Sequence, residues 1–133
     1  MKTWSLLYIL VWVAFAQILI GVISFLQPLI TYGVHPIIGV VVLVLAYLAY
    51  SHVKPTACPD RIKRITKTTF ILSVFQGILG AILYALPYVG LANGLVFGLV
   101  DLLHVVNALA IITQASSSAT AFDMWEEHEY APP

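Results

Sequence analysis

Five side chains stand out because their surroundings are so apolar: Gln17, His35, Gln76, Asp101 and His104. Ionisable or strongly polar groups inside a membrane-spanning stretch are costly, and such residues default to functional hypotheses. The two histidines are the natural ligand pair. Two imidazoles facing each other between helices of a bundle are a standard way to hold heme iron. Each would offer one nitrogen to the metal and need an acceptor for the other. Gly39 and Ala108 lie one helical turn below His35 and His104, and would leave room for a flat macrocycle. Gly21 and Gly80 could do the same on the preceding helices, since glycine permits close approach. Gln17 and Gln76 would hydrogen-bond across helices, or contact a propionate if a porphyrin is present. Asp101 precedes His104 by three residues. It could orient the imidazole, accept a proton from a quinol or other substrate, or stay protonated, because burial raises a carboxyl pKa. A zinc or dinuclear site would need further ligands in the same half, and the sequence offers too few.

The remaining titratable residues carry bland readings. His52 and His128 are expected at headgroup level or in solvent. Cys58 is the single cysteine, so it can form no intrachain disulfide and no CxxC metal site. It reads as structural.

These residues need helices to hold them, and the composition says of what kind. Of 133 residues, 61% are hydrophobic and 9% charged. A soluble domain carries about one quarter charged residues, so this chain lacks the polar surface for water. Net charge is zero, which gives no argument for nucleic acid as a partner. No Asp, Glu, Lys or Arg occurs between Lys2 and Lys54, from Thr68 to Val100, or from Leu102 to Phe122. A helix crosses a bilayer core of about 30 Å with about 20 apolar residues. The first stretch is long enough for two crossings, with breaks at Gln27-Pro28, Thr31-Tyr32-Gly33 and His35-Pro36. The N-terminal apolar run is too long for a signal-peptide core and lacks a small-residue cleavage site, so it reads as a retained helix.

The expectation is an all-α integral membrane bundle. Its four helices span about 4–27, 35–53, 61–86 and 92–115 within a domain of residues 1–121. An acidic, solvated tail of residues 122–133 follows. Pro36 suits the first turn of the second helix, and Asp60 suits the N-cap of the third. Lys54, Arg61, Lys63, Arg64 and Lys67 gather five of the six basic residues in one loop region. The positive-inside rule then places that loop, Lys2 and both termini in the cytoplasm, with a plasma (inner) membrane as the setting. Trp4, Tyr32, Tyr50 and Tyr88 fall at the expected interfaces.

The halves also repeat. Gln17 is followed by Gly21 and Pro28 at offsets of four and eleven, and Gln76 by Gly80 and Pro87 at the same offsets. His35 with Gly39 then matches His104 with Ala108. About ten extra residues near Tyr88–Phe97 separate the second pair. The first and third helices run in the same direction, so the halves form a parallel repeat about an axis along the membrane normal. Such an axis sets the histidines face to face.

The segment DRIKRITKTTFILSVFQGILGAIL resembles the basic loop and third helix of the heme A synthase family, with its Gln-x-x-x-Gly pattern. GLVDLLHVVNALAIITQA resembles that family's fourth helix, where a histidine follows an apolar turn. The resemblance covers most of helices two to four. That family is built from tandem four-helix units, with heme-ligating histidines on the second and fourth helix of each. The resemblance implies a half-length version, with a homodimer as an option, and His35 and His104 as axial ligands of one b-type (or modified) heme. Two departures stand out. The family usually carries an acidic residue three positions before the second-helix histidine, and here that position is Tyr32. The paired cysteines of the outer loop are also missing. The first departure puts oxidation of a heme methyl group in question; heme binding is what remains.

Three functional classes follow. The first is a cytochrome b-like protein or reduced relative of heme A synthase, exchanging electrons with a quinol or a respiratory-chain partner subunit. The second is a non-catalytic accessory subunit of a respiratory complex. The third is a small ion-coupled transporter, for which Asp101 alone could serve as coupling carboxylate.

Overall fold

The computed structural model describes residues 2–24 and 33–130. Four α-helices make up nearly all of it: α1 (Thr3–Ser24), α2 (His35–Val53), α3 (Asp60–Ala85) and α4 (Leu95–Tyr130). Each is long and apolar enough to cross a membrane. A membrane is the setting in which this surface makes sense, because most large apolar side chains point outward. In water such a surface would be untenable; in lipid it costs nothing, and a helix pairs its interior backbone polar groups within itself. The expected turn at Gln27-Pro28 and Thr31-Tyr32 lies outside the described residues.

Local sequence sets the helix ends. Pro36 occupies the first turn of α2, where its missing N–H is harmless. Asp60 is the first residue of α3 rather than its cap; Pro59 holds the cap position. A carboxylate in the first turn still complements the helix dipole. At the other end of α3, Leu86–Val89 tighten into a 3-10 turn. Gly90 then adopts φ 77°, its N–H bonding to the Pro87 carbonyl while the Leu91 N–H reaches back to Leu86. This pair of bonds around a left-handed glycine is a Schellman closure. Residues 86–94 thus form a short capped turn before α4.

The helices contact in a ring, α1 with α2, α2 with α3, α3 with α4 and α4 with α1. Helices α2 and α4 therefore stand diagonally across the bundle. The apolar core fills the end that carries the basic loop: Leu6, Leu7, Leu10 and Ala14 meet Val42, Ala46, Ala49 and Val53, with Cys58, Ile62, Ala115, Ala119 and Phe122. Small residues on α2 and α4 let the backbones approach closely. Thr66, Thr69, Ser73 and Ser118 are buried, and each hydroxyl donates to a carbonyl of its own helix. Cys58 is buried in this core, while His52 and His128 are exposed.

Helix α4 departs from expectation. It does not end near Ala115 in a solvated tail after residue 121, but continues to Tyr130 as one helix of 36 residues. At about 1.5 Å per residue it is about 54 Å long, well beyond a bilayer core of about 30 Å. The reason lies in spacing: Ala115, Ser118, Ala119 and Phe122 form a buried stripe at helical intervals. Phe122 is 2% exposed and its ring packs against Trp125 at 5.3 Å. The Tyr8 hydroxyl donates to Asp123 at 3.2 Å, tying the extension to α1.

Candidate functional site

The end of the bundle opposite the apolar core is filled by polar side chains. His35 projects from the first turn of α2, and His104 from α4 about two and a half turns after Leu95. Their rings meet across the diagonal, with centroids 6.2 Å apart and planes at 59°. Both are half-buried.

Each ring rests on a glycine of the preceding helix. A Cβ at Gly21 would stand 3.0 Å from His35 Cε1, and a Cβ at Gly80 would stand 3.4 Å from His104 Cε1. The space these glycines open is thus taken by the imidazoles themselves. Gly39 is similar: a Cβ there would stand 3.2 Å from Gln17 Nε2, so its gap admits the amide. Ala108 is half-buried one turn beyond His104.

The two glutamines bond across helices, differently in each half. Gln17 Nε2 donates to the His35 carbonyl at 2.8 Å and lies 3.4 Å from His35 Nε2. Gln76 Oε1 accepts from Asn107 Nδ2 at 2.7 Å, and the same amide donates to the Leu72 carbonyl at 3.0 Å. Asn107 is buried and escaped the reading of the sequence, which weighed histidines, carboxylates and glutamines only. Its signal was available: an amide three residues after His104 in an otherwise apolar helix.

Asp101 is exposed on the outward face of α4, among the exposed Leu99, Leu102 and Leu103. It is not the buried carboxyl expected beside the imidazole. Three residues back along a helix is about 60° off the facing direction, and here that offset carries the side chain out of the bundle. Tyr8 and Asp123, Asn107 and the basic loop are accordingly the polar contacts of interest besides the histidines.

Three buried polar atoms at this end find no hydrogen-bond partner among the described residues: Gln17 Oε1, His35 Nδ1 and His104 Nδ1. Buried polar atoms are nearly always paired, so each such exception calls for a reason. Two of the three belong to the facing imidazoles. As a donor set, the pair suits a metal that takes only two ligands from protein. Among the described residues no group of three or more His, Cys, Asp or Glu side chains is placed to hold an ion by itself. His35 and His104 are the residues that would hold a heme iron, whose porphyrin would supply its other donors.

The fold and this site together define an all-helical membrane protein with a diagonal histidine pair at one end of its bundle. No protein-family model, curated protein or solved structure matches the chain.

Proposed function

We propose that the protein is a membrane cytochrome b-like protein that holds one heme between His35 and His104. The observation that carries this reading is the facing pair itself: two imidazoles on diagonal helices, each seated on a glycine, each with a buried and unpartnered ring nitrogen. The separation of 6.2 Å between the ring centres supports the two residues as partners in holding one metal. A heme held this way supplies a one-electron couple.

The chain's own part is positioning. The Gln17 amide fixes the backbone of His35 at the start of α2, where the helix would otherwise fray. The Asn107–Gln76 bond clips α4 to α3 one turn below His104. Repetition supports the same reading. Gln17, Gly21 and His35 in one half answer to Gln76, Gly80 and His104 in the other, and a duplicated hairpin with a twofold axis along the membrane normal would create such a pair. The resemblance to heme A synthases points to the same two ligands.

The electron partner under this reading is a quinol or a respiratory-chain subunit. The membrane is the plasma (inner) membrane, with both termini and the basic loop in the cytoplasm, as the positive-inside rule requires. The histidines then sit in the outer half.

The test is a reduced-minus-oxidised absorption spectrum of the detergent-solubilised protein, expressed with ample heme, beside His35→Ala and His104→Ala variants. Sharp α and β bands lost in both variants are expected. A colourless wild type would overturn the reading and favour a cofactor-free accessory subunit.

A further inference from the structure

The basic residues do more than fill a loop. Asp60, Lys63, Arg64 and Lys67 recur at intervals of three, one and three, which places them on one face of α3. That face looks across a cleft of about 290 Å³ to Tyr50 and Lys54 at the end of α2. Lys54, Lys63, Arg64 and Lys67 line the cleft against a single carboxylate, Asp60. Of the carboxylates at the end of α4, Asp123 is turned to Tyr8 of α1.

The cleft has an aromatic floor that leads toward the apolar span. Tyr50 stacks on Phe70 with centroids 6.2 Å apart and planes within 2°, and Tyr47 lies 5.5 Å from the same ring. Tyrosines at this position mark the level where headgroups give way to acyl chains. Beyond them the same two helices present exposed apolar side chains: Val44 and Tyr47 on α2, Ile71 and Val74 on α3. The cationic cleft is thus followed along the same two helices by exposed apolar side chains, which would form the groove for an acyl chain.

We infer that this cleft between α2 and α3 is a binding site for one anionic phospholipid, its phosphate among Lys54, Lys63, Arg64 and Lys67 and its acyl chains along the groove toward Val74. Topology alone would be served by the same charges in any arrangement near the membrane, because only their number and side matter to it. Alignment on one helix face, a second helix opposite and exposed apolar side chains beyond are what a two-part amphiphile needs. Basic pockets between spanning helices recognise anionic headgroups in this way. A free phosphate ion would use the cations and leave the groove idle.

The test is native mass spectrometry of the full chain in detergent, titrated separately with phosphatidylglycerol, phosphatidylcholine and inorganic phosphate. The expected result is one tightly retained phosphatidylglycerol, bound at least about tenfold better than phosphatidylcholine, a difference worth about 1.4 kcal/mol. Inorganic phosphate should neither bind comparably nor displace it. Replacing Lys63, Arg64 and Lys67 together by Gln should abolish the preference, while Lys2→Gln should keep it. Wild-type protein at about 1 M salt, where the screening length falls to about 3 Å, should also lose the preference, and this arm needs no variant to fold. Equal retention of the two lipids, retention by the triple variant, insensitivity to salt, or comparable binding of phosphate alone would each overturn the inference.

Discussion

At the scale of single residues, the glycines beneath the histidines are the most sensitive positions at the site. An alanine at Gly21 would bring its Cβ to 3.0 Å from His35 Cε1, tight enough that the ring must shift by a few tenths of an ångström, whereas at Gly80 the corresponding distance is 3.4 Å. Overpacking of this kind costs about 1–3 kcal/mol unless the neighbour moves. His35 has little freedom to move, because Gln17 holds its backbone carbonyl. Gly21→Ala should therefore displace the His35 ring, and Gly80→Ala should be milder. The check is heme content per chain after identical expression, with the α-band position as a second readout. The expected order is wild type, then Gly80→Ala, then Gly21→Ala. An unchanged Gly21→Ala protein would mean that the ring is not held where the bundle packs it.

Gln17, His35, Gln76 and His104 were legible in the sequence because a polar group in an apolar run is conspicuous. His35 and His104 could be paired from the Gln-x-x-x-Gly repeat before any coordinates. What the repeat could not convey was which way each side chain turns. Asp101 shares a helix with His104 yet faces outward, and Asn107 faces inward; a difference of six positions along the helix decides it. Orientation depends on the azimuth of the whole helix against its neighbours. Apolar residues all round a spanning helix give no stripe from which to read that azimuth.

At the scale of elements, the four spans were visible from uninterrupted hydrophobicity, and the end of α4 was not. Its last turns carry Asp123, Glu126, Glu127 and Glu129, which suggest a solvated tail when charge alone is weighed. The stripe of Ala115, Ser118, Ala119 and Phe122 carries the opposite message at helical spacing, and no Gly or Pro interrupts it before Pro132. The extension should accordingly be part of the folded unit. Burying a phenylalanine in a packed core is worth about 3–5 kcal/mol against alanine. Phe122→Ala should lower the thermal midpoint in detergent by several degrees. Tyr8→Phe removes one partly exposed hydrogen bond, worth about 0.5–1.5 kcal/mol, and should lower it far less. Comparable melting of Phe122→Ala and wild type would return the segment to the status of a tail.

At the scale of the whole molecule, the bundle is built unequally along its axis. Leucines, small residues and Phe122 pack one end, and amides and imidazoles, with three atoms unpartnered among the described residues, occupy the other. Local stability follows buried apolar contact, so the polar end should open first. A ligand that binds only the closed form stabilises it by mass action, about 2.7 kcal/mol at a hundredfold excess over its dissociation constant. Backbone amide exchange in detergent separates the two ends. In heme-free protein, amides near residues 36–41 of α2 and 100–106 of α4 should exchange faster than those near 46–53 and 111–119. Heme loading should slow exchange at the first pair of segments and leave the second nearly unchanged. The His35→Ala/His104→Ala double variant should show the same gradient but no response to added heme. Protection spread evenly over all four helices would instead mean that the bundle folds as one cooperative unit, and that its polar end is as secure without a metal as with one.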